Sequence, residues 1–314
     1  MLTYFNTGRK INIFCVNTPF QEFVVNQIIS QYLDNECNII ISTIINSKGN
    51  KRTIVVSSSL YSLLQVRVLL HHIINNIQKC TFFVPHLSSL FSSLFYGLSL
   101  KYNRPINVFY EGIALYYESI MKQSFFLRIK RKIQCFLIGE PYHYYESLYP
   151  KDFVDRVDIC YAPNRILLDK YKKICIVKFR QEEVIYNQAI LLLLSNEVSS
   201  SVETKLIDKV KNLIKEEYIE VLYLKPHYEL DDITIKHIEN SLYSVGIKNI
   251  VTLNKSLPIE SLYTKISFKM VISQAFSSAL INMKLIFPEQ PKMYILEKDK
   301  ETIEIANKFE LNYE

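Results

Sequence analysis

The stretch "INVFYEG", residues 106–112, decides the fold. Its apolar residues fall on both parities of a strand, so both faces are covered. Strands covered on both faces belong to the parallel sheets of α/β proteins. This one ends on Glu111-Gly112, in a chain with only six glycines. Ligands of open parallel sheets bind outside the carboxyl ends of the strands. A carboxylate there is a candidate general base, and the bland alternative is a surface acid beside a turn glycine.

Similar runs recur along the chain: "NIFCVN" (12–17), "NIIIST" (38–43), "TIVVSS" (53–58), "CTFFVP" (80–85), "VDICYAP" (157–163) and "AILLLLS" (189–195). "IEVLYLKPH" (219–227), "NIVTLN" (249–254), "FKMVIS" (268–273) and "KLIFPE" (284–289) follow. Helix-length segments such as 19–34, 59–78 and 201–217 separate them, which is the pattern of βαβ units. There are enough runs for two sheets. The irregular stretch "IVKFRQEEVIYNQ" separates them, so the expected domains are 1–180 and 181–314, both Rossmann-like.

Composition narrows the class. The hydrophobic fraction is 49% and the charged fraction 22%, enough to fill a core and too apolar for global disorder. The six cysteines show no CxxC spacing and sit mostly in apolar runs, which favours free thiols over disulfides or zinc. No leader-like start and no apolar run near the ~20 residues of a membrane span is seen. A cytoplasmic location is therefore expected. The net charge of +6 suits anionic ligands or an anionic membrane face. Dispersed lysines and the lack of RNP or KH patterns argue against nucleic acid as a partner. GxGxxG, the P-loop, HExxH, GxSxG and a strand-end DxD are all missing.

Other candidates cluster at strand ends. Lys225, Pro226 and His227 close the strand 219–224, where an imidazole can serve a leaving phosphate. "SQAFSSALIN" (273–282) offers hydroxyls and free N–H groups at a helix start, with plain capping by Ser273 or Ser277 as the alternative. In "LPIESLY", Glu260 precedes a predicted helix and is placed either to hold a ribose or to cap. "NTPFQ" (17–21) starts the first helix at Thr18-Pro19, with Asn17, Thr18 and Gln21 directed at a cleft. Asp231-Asp232 reads as a helix N-terminus. Tyr116 follows Glu111 by about one helical turn. Finally, "KQSFFLRIKRKIQCFLIG" (122–139) carries Lys122, Arg128, Lys130, Arg131 and Lys132 among phenylalanines. Two readings stand open for it: an amphipathic helix packed on its sheet, or one lying on an anionic membrane face.

In their order, an acid-glycine pair, a Lys-Pro-His, a Pro-x-Glu and a Ser-Ser before a helix resemble motifs of the bacterial sialyltransferases of GT-B fold. These are the lipooligosaccharide sialyltransferases and polysialyltransferases, with D/E-D/E-G, HP and Ser-Ser motifs. "TPFQ" resembles the TP-x-Q of the lipooligosaccharide group. The likeness runs from residue 12 to about 290. It departs at Tyr110, which stands where a first acid is usual, and at Pro226, which precedes the histidine rather than following it.

The resemblance implies a GT-B-like α/β fold, two Rossmann-like domains facing a central cleft, with the acceptor side first and the donor side second. It implies an inverting, metal-independent transfer of sialic acid from CMP-sialic acid to an acceptor glycan such as a galactoside, with no cofactor. Glu111, beside Gly112, would be the base, and His227 would protonate or hydrogen-bond the leaving phosphate. Ser277 and Ser278 would hold that phosphate, and Lys225, Pro226 and Gly112 would belong to the donor site. Glu260 would bind the ribose, and Asn17, Thr18 and Gln21 would face the donor sugar. The setting implied is bacterial surface-polysaccharide assembly (lipopolysaccharide, O-antigen or capsule), where acceptors can be lipid-linked; on the second reading of the 122–139 helix, the chain would rest on the inner face of the cytoplasmic membrane. Two alternatives stay open: a transferase of another CMP-linked acid sugar such as Kdo, and a non-catalytic nucleotide- or glycan-binding protein.

Overall fold

In a computed structural model, the described residues are 8–43, 53–56, 60–112, 115, 123–166, 168–179, 185–186, 188–216, 218–263, 265–286, 291–298 and 300–313. The chain divides after Lys178 into two units.

The first unit runs β1 (Ile11–Val16), α1 (Pro19–Ile28), β2 (Cys37–Ser42), β3 (Thr53–Val55), α2 (Leu60–Asn75) and β4 (Cys80–Val84). It continues with α3 (Leu90–Tyr102), β5 (Ile106–Phe109), α4 (Phe125–Ile138), α5 (Lys151–Arg156), β6 (Val157–Ala162) and β7 (Ile174–Ile176). Its strands form one sheet in the order β3-β2-β1-β4-β5-β6-β7, with every pair parallel. All six residues of β1 are buried, as a central strand covered on both faces requires. Phe14 of β1 stacks on Phe83 of β4 at 4.3 Å, and Phe82 on Phe95 of α3 at 5.3 Å, pinning helix to sheet.

The second unit holds β8 (Ile185–Tyr186), β9 (Ala189–Leu193), α6 (Ser200–Glu216), β10 (Val221–Lys225), α7 (Asp232–Ser244) and β11 (Ile250–Thr252). Then come α8 (Glu260–Tyr263), β12 (Ile266–Ser267), β13 (Met270–Ala275), α9 (Ser278–Ile286), β14 (Lys292–Glu297) and α10 (Lys300–Lys308). A five-stranded parallel sheet has the order β11-β10-β9-β13-β14, and β8 pairs with β12 alone. Ile190, Leu192, Leu222, Leu224, Met270 and Ile272 pack beneath the apolar stripes of α6 (Leu206, Val210, Leu213) and α7 (Ile235, Ile238, Leu242). Each such side chain contributes roughly 1.5–3 kcal/mol by leaving water.

In each sheet the strand order reverses at the first strand. β1 lies between β2 and β4, and β9 lies between β10 and β13. Connections leave in opposite directions from such a point, and a crevice opens outside the carboxyl ends of the strands.

Local rules set the helix starts. The Thr18 hydroxyl accepts the Gln21 N–H at 3.2 Å with Pro19 opening α1, and Asp231 caps α7 through the Thr234 N–H at 2.8 Å. The expected helix 19–34 is α-helical to Ile28 and closes with a π-helical turn over 29–33. All six cysteines are free, four of them buried.

One strand is misplaced by the sequence reading. "KLIFPE" (284–289) was expected to pair, but Lys284–Ile286 form the last turn of α9, and 287–289 lie outside the described residues. The strand is instead Lys292–Glu297, in register with β13 from Met270↔Lys292 to Ala275↔Glu297. Leu280, Ile281 and Met283 are buried on α9, so burial carries the helix through the apolar run. The short strand β8 lies in the stretch read as irregular, and β7 and β12 lie outside the runs expected to be strands. Tyr116, Lys122 and the end of the 53–58 run lie outside the described residues.

Candidate active site

In the first unit the chemistry gathers on Glu111. Tyr110, fully buried, continues the β5 ladder by donating its N–H to the Tyr161 carbonyl at 2.8 Å. Glu111 follows, and Gly112 turns the chain at φ +109°, a conformation that glycine adopts without steric cost. The Glu111 side chain is 6% exposed.

Three donors meet its carboxylate. Gln21, buried on α1, accepts the Asn17 N–H on Oε1 at 2.7 Å. That fixes the amide, so Nε2 donates to Glu111 Oε2 at 3.2 Å. His86 stands two residues past β4, and its Nδ1 accepts the Ser88 N–H at 3.0 Å. The ring proton therefore sits on Nε2, which is 2.8 Å from Glu111 Oε2. The Ser88 hydroxyl lies 2.7 Å from Nδ1 on the other side of the ring. The Tyr149 hydroxyl is 2.6 Å from Glu111 Oε1 and 2.8 Å from the Pro85 carbonyl. Burial first, then the charge of Glu111, pushes the Tyr149 phenol well above its ordinary value, so it keeps its proton and donates.

A carboxylate offers about four lone-pair positions. Gln21, His86 and Tyr149 occupy three of these, and among the described residues the fourth is left open. Tyr149 has one proton for two acceptors, so it can turn to the Pro85 carbonyl once Glu111 has gained a proton.

Close by, Asn17, Thr43, Ser89, Leu127, Lys130 and Arg131 help to line a pocket of about 410 Å³. Among the described residues its lining carries two cations and no acid. That volume is within the range that holds a small ligand.

Two expected positions find other immediate partners here. Thr18 is the helix cap, and Gln21 spans from the Asn17 backbone to Glu111. His86 was missed, although it directly follows the run "CTFFVP" and forms a Pro-His pair like Pro226-His227.

In the second unit, Lys225 is the last residue of β10. Its Nζ donates to the carbonyls of Pro226 at 3.0 Å and Lys255 at 3.1 Å. Burial lowers this ammonium to about 8, against the opposing pull of Glu260. His227 accepts the Glu229 N–H on Nδ1 at 3.3 Å, which leaves Nε2 as the protonated nitrogen of the neutral ring. Burial lowers its pKa as well, with Glu229 pulling up and Lys225 pushing down. Tyr228 packs on the ring at 4.3 Å.

Glu260 opens α8 and is 4% exposed, with Oε1 accepting the Asn282 amide of α9 at 2.7 Å. Burial raises its pKa, opposed by that hydrogen bond and by Lys225. Ser277 and Ser278, both half-buried, stand at the start of α9, just past β13. The Ser277 hydroxyl accepts the Ala279 N–H at 3.2 Å. Lys225 thus ends β10 and His227 follows it, while the serine pair follows β13, and these two strands flank β9.

Among the described residues, no group of three or more His, Cys, Asp or Glu side chains is placed to hold a metal ion. Nor is any described helix long and apolar enough to cross a membrane.

No protein-family model and no curated protein matches this sequence. Among solved structures, an α/β-galactoside α-2,3-sialyltransferase from the luminous marine bacterium Photobacterium phosphoreum is similar with a TM-score of 0.59. Identity is 10% over 98% of this chain and 97% of that one. A putative UDP-N-acetylglucosamine 2-epimerase from Listeria monocytogenes gives 0.52 at 9% identity, over 96% and 88% of the two chains. The Methanocaldococcus jannaschii UDP-GlcNAc 2-epimerase, in complex with UDP-GlcNAc and UDP, gives 0.50 at 12% identity, over 95% and 86%. At such identities the likeness is one of fold. The chain is an α/β protein of two successive Rossmann-like parallel-sheet units, the fold it shares with GT-B glycosyltransferases and UDP-sugar epimerases.

Proposed function

We propose that this chain is an inverting glycosyltransferase that moves sialic acid from CMP-sialic acid to a hydroxyl of an acceptor glycan. The observation that carries the reading is the Glu111 carboxylate, held by Gln21, His86 and Tyr149 with one acceptor position left over among the described residues. That is what a general base for a sugar hydroxyl requires.

In the proposed step the acceptor oxygen attacks C2 of sialic acid, and its proton passes to Glu111. The bond from C2 to the phosphate oxygen breaks, and its electron pair leaves with CMP. His227 in its neutral form offers Nε2–H to that phosphate, while Lys225 supplies positive charge and the Ser277-Ser278 helix start supplies hydroxyl and N–H donors. Groups fixed in advance at developing charge need no reorganisation during reaction, which is where electrostatic catalysis gains. Asn282 orients Glu260 for the ribose. The pocket beside Asn17, with Lys130 and Arg131, suits an acceptor that carries acidic groups. A transferase of another CMP-linked acid sugar would use the same phosphate groups.

The test is a donor panel. Purified protein is incubated with CMP-sialic acid, CMP-Kdo and UDP-GlcNAc, with and without galactosides, and nucleotide release and product mass are followed. Release of CMP from CMP-sialic acid with a sialylated product is expected. Turnover of CMP-Kdo alone would move the donor to that sugar, turnover of UDP-GlcNAc alone would place the chain with UDP-sugar enzymes, and no turnover with retained CMP binding would leave a binding protein.

A further inference from the structure

Helix α4 turns an apolar face to solvent. Ser124 caps it through the Leu127 N–H at 3.3 Å, and Gly139 ends it at φ +91°, so it is a closed, self-contained helix. Its inner side is made of Cys135 and Ile138, both buried, with Arg128, Arg131 and Gln134 half-buried. The Arg128 guanidinium lies over the Tyr144 ring at 5.0 Å.

Phe125, Ile129, Ile133 and Phe136 recur at steps of four, four and three, and so share the opposite face. Phe126, seven residues before Ile133, widens it. Phe125 is 65% exposed, Phe126 81% and Phe136 82%, and both isoleucines are exposed. At about 150–250 Å² for an aromatic side chain, the phenylalanines alone leave on the order of 400 Å² in water. A continuous apolar patch of that size on a soluble surface marks an interaction site. On a helical wheel Lys132 borders it beside Phe125 and Lys130 borders it beside Phe126, and both lysines are exposed. Four basic residues and no acid occur within α4.

We propose that this face of α4 docks on an anionic lipid surface. An apolar stripe between lysines can sink its phenylalanines below the headgroups while the ammonium groups meet lipid phosphates. Charge selects this occupant over a second copy of the chain. A two-fold contact on the same face would set Lys130 and Lys132 against their own counterparts, with no acid on either helix to pair with them. The lipid contact does not depend on the transferase reading, because it is measured without substrate. Leu127, Lys130 and Arg131 also line the pocket beside Asn17, so docking would bring that pocket next to the bilayer.

The test is co-sedimentation of the full chain with vesicles of phosphatidylcholine alone or mixed with phosphatidylglycerol. Binding to the anionic vesicles is expected, weakened by salt and much weaker on phosphatidylcholine. Phe126→Ser with Phe136→Ser should lower the partition at least tenfold without altering the melting temperature. Lys132→Glu should lower it about fivefold or more, since one basic residue near an anionic surface contributes about that factor. Wild-type protein remaining in the supernatant, equal binding to both vesicles, or undiminished binding by the phenylalanine variant overturns the proposal. So does a wild-type dimer in solution that the phenylalanine variant converts to monomer, which would assign the face to self-association.

Discussion

Lys225 should give nucleotide binding a pH dependence that disappears with its ammonium group. Two carbonyls hold its Nζ, and burial brings its pKa down to about 8 from the ordinary 10.5. The difference corresponds to about 3 kcal/mol of disfavour for the charged form in the folded chain. Below about pH 8 both folded and unfolded chains carry the proton, and that penalty is fully present. Between about pH 8 and 10.5 only the unfolded chain keeps it, so stability rises with pH across this window. Between pH 7.5 and 9.5 the gain for wild type, relative to Lys225→Met, comes to about 2 kcal/mol.

A bound phosphate reverses the preference, because it favours the ammonium. Affinity for CMP should stay level to about pH 8 and then fall, approaching tenfold per pH unit. Lys225→Met should bind CMP more weakly and with a level profile. Calorimetric titrations with CMP from pH 7 to 9.5, and urea unfolding over the same range, read both effects. A wild-type affinity that stays level past pH 9, or a slope that Lys225→Met retains, refutes the placement of the phosphate beside this lysine.

Two further outcomes follow from the Glu111 cluster. His86→Ala removes a donor 2.8 Å from the carboxylate. Its loss frees the carboxylate to swing out of line with the acceptor hydroxyl, so kcat should fall roughly ten- to a hundredfold while CMP affinity, measured by calorimetry, stays unchanged. Gly112→Ala forces a side chain into a backbone at φ +109°, and urea unfolding should show a loss of about 1–3 kcal/mol.

Much of this fold is legible in the chain because parallel strands buried on both faces leave unbroken apolar runs. The cores of β1, β2, β4, β5, β9 and β13 coincide with such runs. Where the structure departs, tertiary contacts outweigh local pattern. "KLIFPE" has the composition of a strand, yet the burial of Leu280, Ile281 and Met283 carries α9 into it. The half-buried "ICI" of β7 becomes a strand only because β6 offers it an edge to pair with.

The candidate site divides in the same way. Glu111 and His227 stand out as polar residues directly after apolar strands. His86 does so too, but its tie to Glu111 needs β4 and β5 side by side, and Tyr149 reaches Glu111 from a loop 38 residues downstream. The burial of Glu260 depends on Asn282 of α9, a contact that no spacing within "LPIESLY" encodes.

The most direct test of the account is turnover of CMP-sialic acid by Glu111→Gln. The amide keeps the shape of the carboxylate and cannot take a proton from the acceptor hydroxyl. kcat should fall by about 10²–10⁴ with a galactoside acceptor, with CMP affinity and melting temperature preserved. A Glu111→Gln enzyme that turns over at the wild-type rate would contradict the assignment of Glu111 as the base.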